Sequence, residues 1–156
     1  MKRAARVAKW AGLALIVAFG AIQLASVDRK NPPVETEVPA PADVRSVLQR
    51  ACYDCHSNET VWPWYSRVAP VSWLVARDVH EGREALNFST WNRLSTKEQL
   101  EAMHESWETV QEGEMPPWFY LPPHPDARLS PQDRSVLRAW SASARGAQSD
   151  RVEDRD

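Results

Sequence analysis

The chain is short of glycine, of cysteine and of any excess of one charge. Five glycines in 156 residues leave few points where the backbone can turn through left-handed geometry. Twelve prolines and eight tryptophans imply instead stiff extended loops and large flat side chains packed around something. A formal net charge of −2 excludes the basic surface on which most nucleic-acid affinity depends, so no nucleic acid is expected as a partner. No stretch reads convincingly as a strand, and there is no internal repeat. With 43% hydrophobic and 26% charged residues, the length allows one ordinary globular domain with accessory segments and no second large core.

The amino terminus carries Lys2, Arg3, Arg6 and Lys9, then runs apolar from Trp10 to Ile22 and, past Gln23, to Val27. As a helix, Trp10 to Val27 would span roughly 27 Å, just short of a hydrocarbon core. No well-placed cleavage site follows, since Ala25 and Ser26 have Gln23 and Leu24 two residues before them. Residues 1–27 are therefore expected to be an uncleaved membrane anchor, with a removed signal peptide as the alternative. The basic cluster keeps its end in the cytoplasm and puts everything from Asp28 onward outside. The expected location is thus the cytoplasmic membrane, single-pass, with the folded domain on the extracytoplasmic side.

Residues 28–41, rich in proline, read as a semi-extended linker, and the polar tail 146–156 as frayed. The folded unit is then 42–145, and its patterns are helical. Val44, Val47, Leu48 and Ala51 predict a helix from about Ala42 into the cysteines. "VSWLVARDVHEGREAL" predicts a second, with Ser72 a candidate cap. Ser95 and Glu98 form a capping-box pattern, and Leu100, Met103, Trp107 and Val110 mark one face until Gly113. Ser130 caps a last helix with Pro131 at its first position and Val136, Leu137 and Trp140 along one side.

The only two cysteines lie in "CYDCH". A zinc site needs four protein ligands, and His80, His104 and His124 supply no close second pair. A thioredoxin-like dithiol starts a helix after a strand, whereas here a helix comes first. A disulfide would close a tiny loop, removing little chain entropy, and leave His56 unexplained. Cys52-x-x-Cys55-His56 is the attachment pattern of c-type haem: two thiols add across the porphyrin vinyl groups, and the adjacent imidazole binds iron from one face. Covalent haem c is the cofactor this predicts, and it would enlarge the modest core of about 100 residues. Several tryptophans are expected to wall it.

For the second axial ligand, Met115 in "EGEMPPWFY" sits between a helix stop and two prolines and is the first choice. His124, on a loop, is the alternative. Met103 shares a helical face with Leu100 and Trp107 and reads as core, and His80 and His104 read as solvent-facing. Trp64 and Arg67 are further candidates, for the haem edge and a propionate. The sequons at Asn58 and Asn87 carry no information here.

Residues 51–140 resemble the haem-binding domain family of membrane-anchored bacterial proteins related to c-type cytochromes. The likeness is carried by "CYDCHSNETVWPWYSRVAPVSW", "GEMPPWFY" and "HPDARLSPQDRSVLRAW", with "NPPV" after the apolar run. It implies an all-α fold: a small cytochrome c-like helical domain with long loops around a covalent haem, behind one amino-terminal anchor helix. It also implies haem on Cys52 and Cys55, proximal ligation by His56 and distal ligation by Met115. Two functions are compatible with this. One is an electron carrier serving a redox partner protein. The other is a peroxidase-like enzyme or a redox or gas sensor with an open distal site. The lack of any defensible acid/base pair favours the carrier over an enzyme.

Overall fold

Each helical period in the sequence becomes a helix. The computed structural model describes residues 2–153, and the side-chain surroundings of residues 3–144. The helices are α1 (Lys2–Ile22), α2 (Ala42–Ala51), α3 (Tyr53–His56), α4 (Val71–Ala85), α5 (Thr96–Glu112) and α6 (Pro131–Glu153), with 3-10 turns at Trp64–Arg67, Trp91–Arg93 and Pro125–Ala127. Among the described residues there is no strand beyond an isolated parallel bridge between Thr36 and Thr90. The fold is all-helical, with an apolar amino-terminal helix.

The helix ends follow local chemistry. Ser95 accepts a hydrogen bond from the Glu98 N–H, and the Ser95 N–H donates to the Glu98 carboxylate at 2.7 Å. Gly113 closes α5 with φ 81°, a geometry that costs glycine nothing. At α6 the Ser130 N–H donates to Asp133 at 2.8 Å and the Asp133 N–H returns to Ser130 at 3.1 Å. Three boundaries differ from expectation. α1 stops at Ile22, so the apolar stretch to Val27 is not one helix. Ser72 is not a cap: the Ser72 N–H already donates to Val68, Pro70 precedes α4, and Ser72 is buried inside the first turn. The tail from Gly146, expected to fray, continues α6 to Glu153, while residues 154–156 lie outside the described part.

The core forms where α2, α5 and α6 meet, α5 and α6 packing most extensively. Val44, Val47 and Leu48 of α2 meet Ala102, Val110, Leu137 and Trp140. Through it runs an aromatic column: Tyr53 to Phe88 at 5.6 Å between ring centres, Phe88 to Trp91 at 6.1 Å and Trp91 to Trp140 at 6.4 Å.

The proline-rich segment after α1 is extended, and it does more than connect. Val38 and Ala40 enter the core. The Glu35 and Thr36 N–H groups donate to Ser89, and Asn58 donates to the Pro33 carbonyl at 2.8 Å. Arg83 of α4 staples the same segment, donating to the Lys30 carbonyl at 3.1 Å, to Asn31 at 2.8 Å, to Thr60 at 2.8 Å and to the Ser57 carbonyl at 2.7 Å. Arg83→Met keeps the aliphatic stem and removes these bonds. It should lower unfolding free energy by about 2 kcal/mol, discounted for the partial exposure of the site. A chemical denaturation curve checks this; an unchanged midpoint would mean that water replaces the guanidinium at no cost.

Candidate functional site

α2 ends at Ala51, the chain bends at Cys52, and one further turn, α3, follows. The N–H groups of Cys55 and His56 both reach back to the Cys52 carbonyl, at 3.2 and 2.9 Å. Residues three and four apart in such a turn share a face, so the spacing puts two thiols and an imidazole on one side of the chain.

His56 is fixed at both ends. Its carbonyl accepts the Phe88 N–H at 2.8 Å, and its ring Nδ1 lies 3.1 Å from the Leu86 carbonyl. A carbonyl only accepts, so Nδ1 carries the hydrogen and Nε2 keeps its lone pair. Burial holds the His56 pKa below the usual imidazole value, against the opposing pull of the Leu86 and Gly82 carbonyls. A neutral imidazole with one nitrogen engaged by a carbonyl is the form that ligates metal.

The thiols are free and half-buried. Burial first, then the neighbouring Cys55, pushes Cys52 up to about 12. Burial, then Asp54 and Asp78, pushes Cys55 up to about 11. Reactive dithiols depend on a lowered thiol pKa, so this pair is unlike a redox dithiol. Gly82 of α4 lies against Cys55 so closely that a β-carbon on it would stand 2.7 Å from the Cys55 carbonyl oxygen.

Three cavities surround this turn. One of about 430 Å³ and one of about 190 Å³ share Ala51, Cys52, His56, Ala85 and Met115 as lining. A third, of about 540 Å³, shares Asp54, Cys55, Asp78, Phe119 and Tyr120 with the first. Met115 therefore lines the same space as Cys52 and His56. Its loop is set by the end of α5, where the Glu114 and Met115 N–H groups both donate to the Thr109 carbonyl, at 2.9 and 3.2 Å. No lysine or arginine lines the three cavities; their charged members are Asp54, Asp78, Glu81 and Glu105.

The other sequence candidates fall elsewhere. Trp64 is 78% exposed, edge-on to Tyr65, and Arg67 is exposed, and neither lines these cavities. The expected tryptophan walls are absent from all three: Trp91 and Trp140 belong to the core, and the walls are Tyr65, Tyr120, Phe119, Phe88 and aliphatic side chains. His124 lines the third cavity, stacked on Tyr120 at 3.9 Å, with Nε2 3.2 Å from the Tyr65 hydroxyl and Nδ1 3.1 Å from the Tyr120 carbonyl. Both its nitrogens are engaged. His80 is exposed and beside Glu84, His104 is half-buried beside Glu108, and Met103 packs on the core. The sequons prove structural: Asn87 donates to Asn58 at 2.8 Å.

Sequence reasoning missed Tyr120 and Asp54 as a pair. The Tyr120 hydroxyl donates to Asp54 at 2.7 Å, and Asp54 also accepts the Val61 N–H at 2.9 Å. Asp54 stood in plain sight between the cysteines, but nothing local ties it to a residue 66 positions away.

A helical domain that gathers two thiols, a neutral imidazole and a thioether around apolar space has a donor set that suits haem. The family described as Haem-binding domain matches residues 17–143, and the chain belongs to it. Its cofactor is haem. No curated protein and no solved structure matches the chain.

Proposed function

We propose that the chain is a monohaem c-type cytochrome that carries electrons at the outer face of the cytoplasmic membrane. The observation that carries this reading is the common lining of the same two cavities by Cys52, His56 and Met115, with no hydrogen bond to Nε2 of His56 among the described residues. Bound haem supplies a one-electron couple. Cys52 and Cys55 would hold the haem by adding S–H across its two vinyl groups, a reaction with no net oxidation. His56 offers Nε2 to the iron, and the Leu86 carbonyl keeps the ring from rotating away. Met115 offers its thioether as the second ligand. α1, exposed along its length and apolar enough to span a membrane from Arg3 to Ile22, anchors the domain, with Lys2, Arg3, Arg6 and Lys9 on the cytoplasmic side. The partner is a redox protein meeting the open cavity.

Protein matured in a host that attaches haem should retain haem stain on the chain after denaturing electrophoresis, and Cys52→Ala with Cys55→Ala should abolish it. Haem that leaves in acidified organic solvent would overturn the covalent assignment. The reduced wild-type protein should bind no carbon monoxide. Free binding would replace the carrier with the enzyme or sensor reading.

A further inference from the structure

Gln23, the first residue past α1, does something no membrane tether needs. Its side-chain amide donates to the Ala69 carbonyl at 3.1 Å, and its carbonyl oxygen accepts the Ala69 N–H at 2.9 Å. Ala69 is 2% exposed and sits in the corner between the Trp64–Arg67 turn and α4. The amide replaces a peptide partner for both backbone groups of that residue, so the corner is pinned to the end of the apolar helix. Next along the chain, Arg29 donates to the Ser66 carbonyl at 3.3 Å, and Asn31 joins the Thr60 carbonyl and the Trp62 indole N–H, at 2.9 and 3.1 Å.

We propose that this corner is a membrane-seating surface, and that the domain sits docked on the lipid bilayer instead of swinging on a linker. The proposal rests on α1 spanning the membrane. Three observations point to lipid as the occupant. First, the clamp is at the residue where α1 ends, which places the corner at the membrane exit. Second, the corner exposes large aromatic side chains that line none of the cavities: Trp64 at 78% and Trp73 at 39%. Tryptophan is the residue enriched at the headgroup level, where its ring meets apolar chains and its N–H meets water. Third, Arg29, Lys30 and exposed Arg67 flank it, as anionic headgroups require. The segment "VWPWYSRVAPVSW", whose tryptophans line none of the haem cavities, thereby acquires a role.

The full-length, haem-loaded protein is reconstituted in phosphatidylethanolamine and phosphatidylglycerol vesicles that carry a phospholipid with a photoactivatable diazirine near the head of its acyl chain. After illumination and trypsin digestion, mass spectrometry should find lipid adducts on α1 and on residues 68–77. Residues 46–50 of α2 and 135–138 of α6 should be at background. Gln23→Ala should cut labelling of 68–77 several-fold with α1 labelling unchanged, and Trp73→Glu should do the same without touching the clamp. Labelled α1 with 68–77 at background overturns the proposal alone, leaving that surface to a protein partner or to water. Unlabelled α1, or a chain beginning near Asp28, overturns the membrane anchor and the proposal together. Undiminished labelling in Gln23→Ala overturns the clamp as its cause.

Discussion

Gly82→Val should be among the most damaging single substitutions in the folded domain, although it fills no active position and replaces the least favoured ordinary helix residue. The first side-chain carbon would stand 2.7 Å from the Cys55 carbonyl oxygen, 3.0 Å from Cys55 Cβ and 3.1 Å from the Cys55 carbonyl carbon. Those atoms are backbone or nearly so and cannot rotate aside. α4 must then back away from α3, which no flexible side chain spares it. Overpacking of this kind costs about 3 kcal/mol at its upper range, and the usual gain of a few tenths from leaving glycine does not offset it. The effect reaches the proposed iron ligand, His56, as well. The Gly82 carbonyl accepts the Leu86 N–H at 3.0 Å, and the Leu86 carbonyl holds His56 Nδ1. A shifted α4 therefore misplaces the group that orients the imidazole. The expected outcome is a thermal midpoint lower by more than about 10 °C for a domain of this size, with reduced haem incorporation. Ala76→Val, on the same helix but lining none of the three cavities, controls for bulk. If Gly82→Val melts like the wild type, the close approach of α4 to the cysteine turn is not maintained in solution.

How much of this was legible in the residues depended on distance along the chain. Cys52, Cys55 and His56 lie within one turn, so spacing alone defined their common face. The same holds for the Ser95 and Glu98 cap, the Gly113 stop and the Ser130 cap, where donor and acceptor are three or four residues apart. Gly82, Leu86, Asp54 with Tyr120, and Gln23 with Ala69 act across tens of residues, and no local period encodes such pairs. The proline-rich stretch misled for a different reason. Proline removes N–H donors, which makes a segment look unable to pair, yet the Pro33 and Lys30 carbonyls still accept bonds from Asn58 and Arg83. The tryptophans misled because composition counts aromatic area without saying what it covers. Trp91 and Trp140 cover the core, while Trp64, 78% exposed, meets only the edge of its neighbour Tyr65 among the aromatic rings described.

Met115→Ala should separate the proposed haem ligand from the loop that presents it. Gly113 ends α5, the Thr109 carbonyl takes two consecutive N–H groups, and the Pro117 carbonyl accepts the Tyr120 N–H at 3.0 Å. The loop is thus fastened before and after Met115 without help from its side chain, which is 37% exposed. Truncation leaves this frame intact, so covalent haem and far-ultraviolet circular dichroism should persist. What changes is the electronic preference. A thioether is a soft neutral ligand that favours ferrous iron, and axial ligation moves haem potentials over about 0.8 V, so the potential should fall by on the order of 100 mV. The far-red sulfur-to-iron band of the oxidised protein should vanish, and the reduced protein should now bind carbon monoxide. Met103 provides the contrast. It packs half-buried against the core, and Met103→Ala should lose about 2 kcal/mol of stability with both the spectrum and the potential unchanged. His124 is the remaining candidate for the distal bond, but Tyr65 and the Tyr120 carbonyl already occupy its two nitrogens. If the far-red band survives Met115→Ala, the sulfur on the iron is not that of Met115. If the band never exists in the wild type and the reduced protein binds carbon monoxide freely, the distal position is open and the enzyme or sensor reading replaces the carrier.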